Sequence, residues 1–118
     1  MIYESELKVL NVLWEQGDTT ARDLGQVLSN EVGWSKSTSY TVTKRCIKKG
    51  LVKRLGHDFT CRALITKEEA QNQEAILLVN RLFEGSSDLL IASLLGGSKK
   101  IDPDQLRKLQ RMVQVFRD

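Results

Sequence analysis

Apolar positions recur with a helical period from the start of this 118-residue chain. Over Glu4–Gln16, Leu7, Leu10, Leu13 and Trp14 fall at three- and four-residue spacing among Glu4, Glu6, Lys8, Asn11 and Glu15. That pattern predicts a helix, stopped by Gly17. Thr19 and Thr20 form a short extended link, and Thr20 with Asp23 three residues on predicts a capped second helix over residues 21 to about 29, with Leu24, Val27 and Leu28 on one side. Residues 30–34 read as a turn, with Trp34 placed to wedge the start of the next helix against the core. Residues 35–50, SKSTSYTVTKRCIKKG, predict a third helix with two unlike faces. Ser37, Tyr40, Thr41, Lys44, Lys48 and, slightly off centre, Arg45 share one face, while Val42, Cys46 and Ile47 share another. Gly50 is the residue expected to end it in a left-handed turn.

The period then changes. Residues 51–55 and 59–65 read as two extended runs joined by Gly56, His57 and Asp58, a hairpin with Lys53, Arg54, His57 and Arg62 at its tip or flanks. A basic hairpin after such a helix is the arrangement called a wing; the same residues also suit a solvated hairpin edge. Thr66 with Glu69 makes a capping box that opens a helix through about Phe83. Ser86 or Ser87 caps a short helix over residues 88–95, apolar almost all round and therefore expected to be covered on most sides. Asp102 and Pro103 start a last helix with Leu106, Leu109, Met112, Val113 and Phe116 as its stripe. The fold class expected is mainly α with a small β-hairpin. It comprises a winged helix-turn-helix domain over residues 1–66 and a three-helix dimerisation domain over residues 67–118.

Charge sharpens this picture. Hydrophobic residues make up 41% of the chain, enough for a packed core, and the net charge is only +3. Residues 1–66 hold ten Lys or Arg against seven Asp or Glu, whereas residues 67–118 hold eight of each, so the excess belongs to the first part. No acidic residue occurs between Glu31 and Asp58, a gap containing Lys36, Lys44, Arg45, Lys48, Lys49, Lys53 and Arg54. Such a field suits a polyanion. The opening MIYESEL has no basic leader and the most apolar run, residues 89–95, is too short to span a bilayer, so the expected setting is soluble and cytoplasmic. Cys46 and Cys61 are too few for a disulfide framework and form no zinc-ligand pattern; both are expected to be reduced core residues, with a redox pair as the alternative. No Gly-rich phosphate loop or metal cluster is present and His57 is the single histidine, so no enzyme, catalytic residue, metal or cofactor is expected.

The stretches SELKVLNVLWEQGDTTARDL and GWSKSTSYTVTKRCIKKGLVKR, and more loosely NRLFEGSSDLLIASLL, resemble the penicillinase and methicillin-resistance repressor family of BlaI/MecI type, related to copper-responsive repressors. Trp34, Ser35, Lys36, Ser37, Thr38, Thr41, Arg45, Lys48, Lys49 and Gly50 carry the specific part of the likeness. The resemblance implies a bacterial winged-helix transcriptional repressor that binds a palindromic double-stranded DNA operator as a homodimer, with a membrane sensor protease as a further partner. Four departures accompany it, one of them Cys46 in place of a common leucine on the core face. The segment MVQVFRD has no cysteine motif, Ser93 and Leu94 stand where methicillin-type repressors have an Asn-Phe bond for cleavage, and Tyr40 replaces a common lysine.

Thr38, Tyr40, Thr41 and Lys44 are the residues expected to reach the major groove, where hydroxyls donate or accept and a thymine methyl can pack on threonine or tyrosine. Ser35, Lys36, Ser37, Arg45 and Arg54 are expected at phosphates. His57 is either a groove contact or a solvated turn residue. In the last part, Ile76, Val79, Leu82, Phe83, Leu89, Leu90, Leu94, Leu106, Leu109, Met112, Val113 and Phe116 are expected at the dimer contact, because three short helices cannot bury that much apolar side chain alone. Two other functions fit the same residues: a winged-helix protein-interaction module, and a ligand-sensing regulator with a pocket among the C-terminal helices.

Overall fold

The computed structural model describes residues 1–96 together with Asp104, Arg107 and Arg111. Its elements run α1 (Glu4–Gln16), β1 (Thr19–Thr20), α2 (Ala21–Val32), α3 (Lys36–Lys48), β2 (Val52–Leu55), β3 (Thr60–Ala63), α4 (Lys67–Leu82) and α5 (Ser87–Gly96). The chain divides into two compact units, Ile2–Ala70 and Gln71–Asp118.

In the first unit the core is made by Val9, Leu10, Val12 and Leu13 of α1, Leu24 and Leu28 of α2, Val42 and Cys46 of α3, Val52 and Cys61 of the sheet. The inward face of α1 differs from the expected one: Leu7 is exposed, and Glu6 takes the interior position with Val9, Leu10 and Leu13. Residues 6, 9, 10 and 13 keep a strict three-and-four spacing, so the helix is turned by that row, with one carboxylate in it. Trp14 ties α1 to the far end of the hairpin, its indole N–H donating to the Ile65 carbonyl at 2.8 Å.

Local signals hold each helix end. Thr20 accepts the Asp23 N–H at 3.1 Å, Ser35 that of Thr38 at 3.1 Å, Thr66 that of Glu69 at 3.0 Å, and Ser86 that of Leu89 at 3.2 Å. α2 continues past the expected turn to Val32 and ends on Gly33, whose φ of 72° is the left-handed conformation a helix C-terminus favours in glycine. Gly50, with φ of 78°, turns the chain out of α3 into β2.

The hairpin is joined by a third strand. The Thr19–Thr20 link pairs antiparallel with β3, Thr19 opposite Cys61 and Thr20 opposite Thr60, giving the sheet order β1-β3-β2. β2 pairs with β3 from Val52 opposite Ala63 to Leu55 opposite Thr60. The hairpin is thereby fixed to the α1–α2 corner. Arg62 of β3 closes on Asp18 with a two-pronged ion pair, Nη2 to Oδ2 at 2.7 Å. Hydrogen bonds from Arg62 hold the Asp18 carboxyl below its ordinary pKa.

In the second unit Val79, Ser87 and Ile91 are buried. Leu77, Leu78 and Leu82 of α4 and Leu89 and Leu94 of the almost wholly apolar α5 are exposed. Asp104, Arg107 and Arg111 are helical. Leu106, Leu109, Met112, Val113 and Phe116 lie outside the described residues.

Candidate nucleic-acid interface

α3 has the two faces its sequence predicts. Ser39, Val42, Thr43 and Cys46 are buried, and Ser35, Lys36, Ser37, Thr38, Tyr40, Thr41, Lys44, Arg45 and Lys48 are exposed. Where α3 crosses α2, a Cβ built on Gly25 would meet the Ser39 Cβ at 3.9 Å, an ordinary contact distance. At the start of α3 the Ser35 hydroxyl also bonds the Thr38 hydroxyl at 3.0 Å, which draws the first-turn hydroxyls into one group.

Between α2 and α3 lies a cleft of about 470 Å³, bordered by Arg22, Gln26 and Ser29 on one side and Lys36 and Tyr40 on the other. Arg22 is a cation that the helical pattern did not single out, because an arginine in the first turn of a surface helix carries no signal of its own. Only the packing of α2 on α3 brings it to the border shared with Lys36. Among the described residues Arg22, Lys36, Lys44, Lys48, Lys53 and Arg54 form no ion pair. Their charge is therefore uncompensated and faces solvent.

Arg45 and Lys49 are arranged otherwise. Glu6 is fully buried at 0% exposure and accepts from the Arg45 Nε at 2.9 Å, the Lys49 Nζ at 2.6 Å and the Tyr3 backbone N–H at 2.8 Å. Arg45 also bonds the Ser5 hydroxyl, and the Tyr3 ring lies 4.5 Å from the Lys49 ammonium. Burial alone would raise the Glu6 pKa, but the Lys49, Tyr3 and Arg45 hydrogen bonds together hold it below the usual value. The back half of α3 is thus clamped to the start of α1, and Arg45 keeps part of its guanidinium in solvent, its side chain being 42% exposed.

On the wing side a row of charges and rings crosses from helix to hairpin. The Lys44 Nζ lies 5.0 Å from the centre of the Tyr40 ring, the Tyr40 and Phe59 rings meet edge to face at 5.7 Å and 67°, and the Arg54 guanidinium lies 4.2 Å from the centre of Phe59. Tyr40 is 46% exposed. His57 and Arg54 are exposed on the hairpin, whereas Arg62 is turned to Asp18. Phe59, expected at the start of the second extended run, lies instead in the turn before β3. Its contacts come from residues outside its own hairpin run, which no local pattern reports.

Cys46 and Cys61 are both buried free thiols, and burial pushes the Cys46 pKa up to about 12 and the Cys61 pKa upward as well. Neither is a thiolate at neutral pH. Among the residues expected at a dimer contact, Val79 is buried within the chain at 5% exposure, Ile76, Phe83 and Leu90 are half-buried, and Leu82, Leu89 and Leu94 are 61%, 50% and 60% exposed.

Three helices and a three-stranded sheet whose β2–β3 hairpin follows a basic third helix define a winged helix-turn-helix, here continued into a helical C-terminal part. The chain belongs to the penicillinase repressor family, whose model matches residues 2–115. It is 22% identical to the penicillinase repressor of Bacillus licheniformis over 99% of this chain and 92% of that protein. It is 19% identical to the methicillin resistance regulatory protein MecI of Staphylococcus aureus over 95% and 92%. An uncharacterized 16.5 kDa protein of the ptsI 3' region of Latilactobacillus sakei is 28% identical over 92% of this chain and 76% of that protein. The family is one of DNA-binding transcriptional repressors, which are not enzymes. Among the described residues no helix is long and apolar enough to cross a membrane.

Proposed function

We propose that the chain represses transcription as a homodimer on a palindromic operator, with α3 in the major groove and the β2–β3 hairpin along the backbone. The observation that carries this reading is the exposed side of α3 and its borders, where hydroxyl residues are flanked by Lys36, Lys44, Lys48, Arg22 and Arg54, all without an acidic partner among the described residues. Thr38, Tyr40 and Thr41 lie along the first two turns and Lys44 early in the third, toward the end of a recognition helix that meets base edges. Ser35, Lys36, Ser37, Arg22 and Arg54 are assigned to the phosphates, and the exposed edge of Arg45 adds a further phosphate contact. His57 lies at the hairpin turn, where a wing approaches a groove. Residues 1–66 read the DNA and residues 67–118 pair the copies, through exposed Leu82, Leu89 and Leu94 and the stripe from Leu106 to Phe116.

The test is a mobility-shift titration at controlled salt, with a duplex chosen from the DNA adjoining the coding gene or selected from a random pool. Lys44→Glu reverses a charge at the reading face and weakens binding by roughly tenfold or more, with circular dichroism and oligomeric state unchanged. Lys36→Gln lowers affinity for every duplex alike and flattens the dependence of log K on log salt by about one unit. Unchanged binding by Lys44→Glu overturns the assignment of α3.

A further inference from the structure

We infer that Phe59 is a positioning residue for DNA reading: it fixes Tyr40 of the recognition helix and Arg54 of the wing into one row, so that the Tyr40 ring packs on the methyl group of a thymine. This rests on the operator reading above and adds to it a base and the residue that sets the choice.

Four observations converge on Phe59. Its backbone φ is 49°, in the left-handed region that residues with large side chains rarely adopt. The tertiary structure holds that conformation in place, since the Phe59 carbonyl accepts the Ala21 N–H at the start of α2 at 2.8 Å. The ring is half-buried against the core, which anchors one part of it. Its remaining contacts are polar or functional: the Arg54 guanidinium over its face at 4.2 Å and the edge-to-face meeting with Tyr40 at 5.7 Å. A phenylalanine that only filled the core would be surrounded by aliphatic side chains. This one stands at the joint of helix and wing, with a cation on one side and a half-exposed tyrosine on the other. Strain and unusual conformation persist where the surroundings over-determine them, and such places concentrate at functional positions.

The consequence for Tyr40 follows from its place in α3. It is the fifth residue of the helix, in the part that faces base edges, and its ring is limited on two sides by Lys44 and Phe59. Between these two neighbours Tyr40 stays 46% exposed, which leaves part of its apolar ring open to a partner. In the major groove the apolar group on offer is the C5 methyl of thymine, while the other bases present hydrogen-bonding atoms there. Lys44 and Arg54 at the two ends of the row are left for phosphates or polar base atoms.

The experiment is selection of duplexes from a random pool by the wild-type protein and by Tyr40→Leu, Phe59→Leu and Phe59→Tyr, each first checked for native circular dichroism. The wild type and Phe59→Tyr recover thymine at one position of each half-site. Tyr40→Leu and Phe59→Leu lose that preference at the same position, and the double variant is no worse than either single one, the signature of residues acting through each other. Replacing that thymine by deoxyuridine, which deletes only the methyl, weakens wild-type binding by about fourfold, the worth of one buried methyl group. The same replacement leaves Phe59→Leu unaffected. If leucine unfolds the domain, Phe59→Met keeps the apolar volume without a ring face and takes its place. Retention of the thymine preference by folded Phe59→Leu or Phe59→Met, or equal binding of the deoxyuridine duplex, overturns this inference alone. Failure of the wild type to select any duplex overturns the operator reading with it.

Discussion

Glu6 shows how a single residue is decided by partners far along the chain. Among Glu4, Lys8 and Glu15 it looks like one more solvated charge of an amphipathic helix, and nothing within a few positions says otherwise. The fold buries it and supplies Arg45 and Lys49 from 39 and 43 residues away. Because its folded pKa is depressed, its contribution to stability is complete above the ordinary carboxylate value of 4.5 and is lost as pH falls through the lower folded value. Glu6→Gln keeps the shape but removes the charge. It should destabilise the first unit by about 1–3 kcal/mol at neutral pH, an amount limited by the partial exposure of both cations. Urea denaturation of wild type and variant checks this: the difference is present at pH 7 and shrinks as the pH is lowered below the usual carboxylate range. A difference that stays constant with pH would show that the carboxylate charge contributes nothing.

At the scale of elements, the helices and the β2–β3 hairpin were legible and the third strand was not. α1, α3, α4 and α5 follow from spacing and from caps that act over three residues, such as Ser35 on Thr38 and Thr66 on Glu69. β1 is two residues long, and its only reason to be a strand is β3, some forty residues later. α2 outran its expected end because the polar run Ser29, Asn30 and Glu31 is as compatible with the exposed side of a helix as with a turn, and Gly33 supplied the stop. The crossing of α2 with α3 makes a sharper prediction. Gly25 has ordinary helical geometry and a Cβ there would meet Ser39 at a normal contact distance of 3.9 Å. Gly25→Ala should therefore stabilise the domain by about 0.5–1 kcal/mol, through lower entropy of the unfolded chain and better helix propensity. A raised Tm in thermal unfolding is the expected result; a lowered one would mean that the two helices need the glycine to approach.

At the scale of the whole molecule, the second unit exposes leucines that a lone chain gains nothing by exposing. An apolar helix was expected to be covered, and Leu89 and Leu94 of α5 are not covered within one chain. In the proposed homodimer a second copy supplies that cover and at the same time doubles the reading heads, which raises discrimination over what one helix can reach. Leu89→Glu places a charge on that surface. It should convert the protein to a monomer in sedimentation velocity while the first unit keeps its thermal transition, and operator affinity should fall with it. A variant that sediments like the wild type would place the pairing surface elsewhere.

The sequence by itself determined what depends on near neighbours: where the described helices start and where all of them but α2 stop, the polar and basic side of α3, and the wing hairpin that follows it. Caps, periodicity and left-handed glycines act within about one helical turn, so one chain read in order is enough to find them. Tertiary structure alone decided which cations remain free. Arg45, Lys49 and Arg62 looked equivalent to Lys36, Lys44 and Arg54 in the acid-free stretch and its surroundings, yet folding gave the first three to Glu6 and Asp18. It also assembled the Lys44–Tyr40–Phe59–Arg54 row, whose members reach one another only once the hairpin is set against α3. The physical reason is common to both: ion pairs and ring contacts are made by proximity in space, and proximity between distant residues is set by the packing of whole elements.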